Sequence, residues 1–175
     1  QLNKIWAPES EGVVTTWDQV DPSFPAEPIV LFGAGTDSGT FDYFTAAING
    51  EEGAIRADYS PSEDDNITVQ GVAGALGGIG FFGLSYVEEN ADVIKAVAVD
   101  GVLPSVETVQ DGSYTPLGRP LFIYVKNSSY VDAPQVKAFV DYFVQNAETI
   151  AQDALFVPLT ADQITLATEE LASLG

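Results

Sequence analysis

The 175-residue sequence contains no cysteine, no methionine and no histidine, and only six basic residues against 26 acidic ones. Without cysteine there are no disulfides, thiol nucleophiles or thiolate metal sites. Without histidine the usual general base and the commonest nitrogen metal ligand are gone, which leaves only a carboxylate-built calcium or magnesium site conceivable. A net charge of −20 repels nucleic acid and anionic membrane surfaces and excludes polyanion binding. Small anions are repelled at long range too, so an anion site must win by short, directed hydrogen bonds. No run of about 18 uninterrupted apolar residues exists, which excludes a membrane-spanning helix. The opening Gln1-Leu2-Asn3-Lys4-Ile5-Trp6 is already amphipathic and carries no initiator methionine, so the expectation is a mature form or a fragment.

What is present makes a folded protein. Hydrophobic residues are 46% of the chain and aromatics 11%, enough to bury a core in one or two compact units despite the charge. Abundant Asp and Glu with little Lys suit a protein bathed in salt, where screening blunts self-repulsion. The expected setting is periplasmic or extracellular, in a marine or saline source.

The chain is organised around Gly33-Ala34-Gly35-Thr36-Asp37-Ser38-Gly39-Thr40. An apolar run, Ile29 to Phe32, reads as a buried strand before it, and Phe41 to Ile48 reads as an amphipathic helix after it. Strand, glycine-rich turn and helix start together present backbone N–H groups to an anion, because the first N–H groups of a helix have no internal partners and sit at its positive end. The spacing is neither a Walker loop, which needs a lysine here, nor the dinucleotide fingerprint, which Gly33, Gly35 and Gly39 miss by one residue. Ser38-Gly39-Thr40 remains, with two hydroxyls and a glycine that lets a ligand reach the backbone. The competing reading is an ordinary N-cap, with Ser38 or Asp37 capping its own helix.

Arg56 follows one short loop beyond that helix. Its guanidinium suits a tetrahedral oxyanion, which it can hold through two parallel hydrogen bonds. The alternative is a salt bridge to Asp58, Glu63 or Asp64. Arg119, between Gly118 and Pro120, reads as a structural pin. Glu63-Asp64-Asp65 could form a metal cluster or a carboxylate catalytic pair. The stronger reading is capping for a helix that starts near Asp64 or Asp65, together with a partner for Arg56, and the run lacks the ligand spacing of a calcium loop. Asn66-Ile67-Thr68 and Asn127-Ser128-Ser129 match the glycosylation pattern, a frequent chance match.

The remaining pattern alternates strands and helices and so predicts an α/β fold. Leu2 to Trp6 reads as the end of a helix, and the two tryptophans as core plugs. The helix from Asp64 is expected to bury Ile67, Val69, Val72 and Ala73. Strands are expected at Gly80–Gly83, Ala96–Val99 and Leu121–Val125, the last being the clearest. Further helices are expected over Ser85–Asn90, Ala133–Asn146 and Thr160–Ser173, with Glu148–Leu155 as a continuation.

Four stretches, GAGTDSGTFDYFTAAINGEEG, ADYSPSEDDNITVQGVAG, GIGFFGLSYVEEN and YTPLGRPLFIYV, occur in an order that resembles the phosphate-binding proteins of bacterial phosphate ABC importers, the PstS family, in its cyanobacterial and marine branch. The resemblance implies an α/β, periplasmic-binding-protein-like (type II) fold of two lobes closing on dehydrated inorganic phosphate, with no enzymatic activity, no cofactor and no metal. It places the family's Ser-Gly-Thr element on Ser38, Gly39 and Thr40. The enteric branch carries an arginine four residues before the serine. Ala34 stands there in this chain, and Arg56 is the candidate substitute. The family's N-terminal half, with its acceptor aspartate, has no counterpart here. The chain is therefore expected to hold the second lobe, about residues 28–113, after an inter-lobe segment at 1–27 and before a return into the first lobe at 114–175. Implied partners are a membrane permease and the missing half, on the same or a separate chain. Membrane anchoring would come through a segment preceding this one. The competing functions are a phosphatase-type enzyme with Ser38 as nucleophile, and a binding protein for another oxyanion such as sulfate.

Overall fold

A computed structural model of the chain describes residues 1–154 and 156–174. It divides into two compact units, Gln1–Val97 and the residues from Ala98 onward.

The first unit is built on a three-stranded parallel sheet in the order β2-β1-β3, formed by β1 (Val30–Ala34), β2 (Ser60–Ser62) and β3 (Gly78–Phe81). Its helices are α1 (Leu2–Trp6), a 3-10 turn at Pro8–Ser10, α2 (Trp17–Val20), α3 (Gly39–Asn49), α4 (Asp65–Gly74) and α5 (Leu84–Glu89). β1 is the central strand, and its apolar residues Leu31 and Ala34 are buried. Parallel neighbours need crossovers, and α3 and α4 supply them.

The core is aromatic. Trp6, 1% exposed, meets Phe44 and Phe81 edge-on at 5.5 and 5.1 Å, while those two rings stack at 4.0 Å. The Phe81 ring lies on the backbone of β1 at Gly33, where any side chain would collide with it. Trp6 is thus the core plug expected of it. Trp17, only half-buried, instead donates its indole N–H to the Gly77 carbonyl at 3.0 Å.

The helix ends follow local chemistry. Ser38 caps α3, accepting the Thr40 N–H at 3.1 Å, and Gly50 closes it in the left-handed region at φ 83°. Asp64 caps α4 through the Asn66 N–H at 2.9 Å. The buried face of α4 departs from expectation: Thr68 and Val69 are buried, whereas Ile67 is 58% exposed. The stripe that fits a 3.6-residue period from Asp65 is 65, 68, 69 and 72, and Gly71 lets the helix close on the Phe32 ring.

The second unit contains α6 (Val106–Gln110), α7 (Asn127–Asp132), α8 (Pro134–Gln145), α9 (Ala147–Asp153) and α10 (Ala161–Ala172). Capping boxes, Ser105 with Thr108 and Thr160 with Gln163, begin α6 and α10. Helices α7 and α8 are joined through buried Tyr130, whose hydroxyl donates to Asp141 at 2.6 Å and accepts from Lys137 at 2.8 Å. The helix expected to reach Leu155 is α9, which ends at Asp153; Leu155 itself lies outside the described residues.

Two expected strands are absent. Ala96–Val99 forms no strand, and Val99 makes only a bridge to Val102 around Asp100-Gly101, both at positive φ. Leu121–Val125 runs without strand pairing, and its first four residues are 51–92% exposed. Apolar, aromatic and β-branched composition suits a strand, but only a neighbouring strand creates the ladder. Among the described residues none lies beside either run.

Candidate anion-binding cleft

The two central connections of the first unit leave the carboxyl ends of adjacent parallel strands, the edge at which open α/β sheets place ligands. β1 runs into Gly35-Thr36-Asp37, and β2 runs into Glu63. Between them is a cleft of about 450 Å³ whose lining includes Gly35, Thr36, Arg56, Tyr59, Ser62 and Glu63. The Gly35 N–H donates to the Ser62 carbonyl at 2.9 Å, tying the two loops together. Tyr59 donates its hydroxyl to the Ala34 carbonyl at 3.1 Å. Burial first, and then the charge of Glu63, push the Tyr59 phenol above its ordinary range.

Arg56 is the cation of this cleft and is only 3% exposed. Its Nε and Nη2 donate to the two Asp58 carboxylate oxygens at 2.5 and 2.8 Å, and Nη1 donates to the Ile5 and Val14 carbonyls at 2.9 Å each. Those four bonds leave one Nη2 hydrogen without an acceptor among the described residues. The guanidinium fork is therefore committed to Asp58, and a ligand would receive a single bond from Arg56 rather than two parallel ones. The Arg56 pair in turn holds the Asp58 carboxyl below its ordinary 3.8. The segment carrying Arg56 is itself braced. Thr45, fully buried on α3, accepts the Gly53 N–H at 2.9 Å, and Asn49 donates to the Ala54 carbonyl at 2.6 Å. The Arg56 N–H donates to the Trp6 carbonyl at 3.2 Å.

Ser38, Gly39 and Thr40 form the first turn of α3, immediately after the cleft's β1 loop, but do not line the cleft. Gly39 is exposed and Ser38 and Thr40 are half-buried. The structure thus brings Arg56 together with Gly35 and Thr36, and leaves the Ser-Gly-Thr turn beside them. Asp58 as the partner of Arg56 was one of three acidic alternatives in the sequence. Its two-residue spacing, the shortest of the three, is the signal that favours it. Glu63 as part of the cleft wall carries no such signal. Among the described residues no group of three or more acidic side chains is clustered to hold a metal ion.

Residues 1–147 match the family model described as "PBP superfamily domain". The chain belongs to the PBP superfamily. Protein SphX of Synechocystis sp. is 46% identical over 170 residues, covering 95% of this chain and 51% of SphX. A protein of Staphylococcus saprophyticus named phosphate-binding protein PstS is 33% identical over 170 residues, covering 94% of this chain and 51% of its own length. A solved structure described as "a possible phosphate binding protein" from Planctomyces limnophilus superposes with a TM-score of 0.85 at 37% identity, covering 99% of this chain and 62% of that one. The chain spans about half the length of the curated relatives it matches.

Proposed function

We propose that this chain is the anion-gripping portion of a phosphate-binding component of an ABC importer, and that it captures inorganic phosphate without chemical turnover. The observation that carries the reading is the cleft at the carboxyl ends of β1 and β2. There a buried arginine, with one N–H not used by the described residues, lines the same cleft as the Gly35-Thr36 loop, in a chain similar to proteins named phosphate-binding. Arg56 donates one charge-assisted bond. In the Ser38-Gly39-Thr40 turn the Ser38 and Thr40 N–H groups are held by the Gly35 carbonyl and the Ser38 hydroxyl respectively, so the turn supplies the Ser38 and Thr40 hydroxyls and the Gly39 N–H from the next turn of chain. At contact distance such donors outweigh the unfavourable −20 field. Residues 28–113 serve as the second lobe, 1–27 as the inter-lobe segment and 114–175 as the return into the first lobe, the remainder of which lies outside this sequence. A membrane permease is the downstream partner, and the setting is periplasmic or extracellular.

The phosphatase alternative requires an activated Ser38. The hydroxyl oxygen of Ser38 instead accepts the Thr40 N–H as a helix cap, and the sequence offers no histidine to activate it as a nucleophile. Sulfate is the other alternative, and competition between the two anions across pH separates them. Replacing Thr40 with Val in the full-length protein is expected to weaken phosphate binding about tenfold, equal to ~1.4 kcal/mol, with unfolding little changed. Unaltered calorimetric affinity would remove Thr40 from the site.

A further inference from the structure

The cleft already holds an anion of its own. Glu63 sits between β2 and the cap of α4, and its Oε1 accepts the backbone N–H of Asp37 at 3.3 Å. Its carboxylate lies so close to the backbone of Gly35 that an added methyl group there would collide with it. Gly35, Thr36, Arg56 and Glu63 line the same space. A carboxylate and a phosphate are bound by loop N–H groups through the same chemistry, so they compete for this loop.

The surrounding charges sharpen the competition. Among the described residues Arg56 is the only cation lining the cleft, and Asp58 already neutralises it. Asp37, Asp64 and Asp65 flank Glu63 from both loops and from α4. An oxyanion entering beside an ionised Glu63 meets repulsion that one remaining Arg56 N–H offsets only in part.

We propose that Glu63 is an internal surrogate anion: its carboxylate straps the β2–α4 turn to the β1–α3 loop in the ligand-free cleft, and an incoming tetrahedral oxyanion displaces it. This rests on the oxyanion-binding reading above. The strap keeps the donor loop ordered without ligand and sets a threshold that a weakly held anion does not pass.

The test is titration calorimetry of the full-length protein with inorganic phosphate and with sulfate, on wild type, Glu63→Gln and Glu63→Ala. Glu63→Gln keeps size and an acceptor oxygen while removing the charge; Glu63→Ala removes both. Both variants are expected to bind phosphate about tenfold or more tightly than wild type, and the Asp37 amide of ligand-free Glu63→Ala to exchange faster with solvent. Equal affinity in wild type and variants overturns the proposal and leaves phosphate binding standing. Weaker phosphate binding in the variants with sulfate unchanged also overturns it, making Glu63 a direct acceptor for a protonated oxyanion. If neither anion binds any of the three proteins, the oxyanion reading itself fails and the strap proposal fails with it.

Discussion

At the scale of single residues, the first unit depends on one buried cation. Arg56 joins the carbonyls of Ile5 and Val14 to the carboxylate of Asp58, so it fastens the amino-terminal segment to the wall of the cleft. Asp58 is the more exposed partner, with a side chain 39% accessible against 3% for Arg56, and water screens part of its attraction. Replacing Asp58 with Asn leaves the guanidinium buried and charged with weaker acceptors, which is the damaging half of a broken ion pair. We expect Asp58→Asn to destabilise the protein by about 1–3 kcal/mol in urea unfolding, and to weaken phosphate binding by loosening the arginine. The same pair fixes a pH dependence. The Asp58 carboxyl is depressed below 3.8 in the folded protein, chiefly by its hydrogen bonds from Arg56. A depressed carboxyl stabilises the fold above its unfolded value, and that contribution is lost as pH falls through the lower folded value. The acid limb of the stability profile should therefore be shallower below about pH 4 in Asp58→Asn than in wild type. An identical limb in both proteins would show that the pair contributes nothing to acid stability. Arg56 stood out in the sequence because cations are scarce there. Its commitment of four N–H groups to protein acceptors was not legible, since two of those acceptors, the Ile5 and Val14 carbonyls, lie more than forty positions away.

At the scale of elements, local signals located most helices and the central strand, while pairing decided the rest. Ser38, Gly50, Asp64 and Thr160 mark helix ends by chemistry contained within a few residues, and such ends are readable from sequence. Ile67 is exposed because α4 buries Thr68 and Val69, with Asp65 and Val72 half-buried on the same stripe, rather than the face that carries Ile67. Ala96–Val99 and Leu121–Val125 have strand composition without strand neighbours, and neighbours cannot be read from composition. Asp65 shows two element-level effects in opposition. Its place in the first turn of α4 favours a negative charge through the helix dipole, by about 0.3–1 kcal/mol. Burial, followed by the charges of Asp64 and Glu63, raises its carboxyl above 3.8 and so opposes the dipole. A raised carboxyl means that ionisation penalises the folded state once pH exceeds the unfolded value, and the penalty disappears on protonation. Asp65→Asn is therefore expected to stabilise the protein near pH 7 by up to about 1 kcal/mol, with the gain vanishing below about pH 4. Thermal unfolding of both proteins across that range measures it. A loss of stability near pH 7 would mean that the dipole dominates.

At the scale of the whole molecule, the sequence spends its strongest strand signal on a stretch the structure leaves unpaired. Leu121, Phe122, Ile123 and Tyr124 are 56, 69, 51 and 92% exposed, consecutive apolar side chains on a chain of net charge −20. An exposed apolar run outside regular structure is open to strand addition. Self-repulsion from the net charge opposes its pairing with a second copy, and salt weakens that protection by shortening the screening length from about 30 Å at 0.01 M to about 8 Å at 0.15 M. On the proposed lobe organisation, the run pairs with strands of first-lobe polypeptide beyond this sequence, which matches only about half of its curated relatives. Hydrogen exchange should then separate the two forms of the protein. In the 175-residue chain by itself, the amides of residues 121–125 are expected to exchange at rates close to those of an unfolded peptide. In the completed protein they should be slowed at least a hundredfold, corresponding to roughly 3 kcal/mol of protection. Phe122→Asp should reduce salt-induced association of the isolated chain, and it should destabilise the completed protein by about 2–4 kcal/mol through burial of an unpaired charge. Fast exchange at 121–125 in the completed protein would show that this run is no strand of the first lobe, and the assignment of residues 114–175 to that lobe would fall.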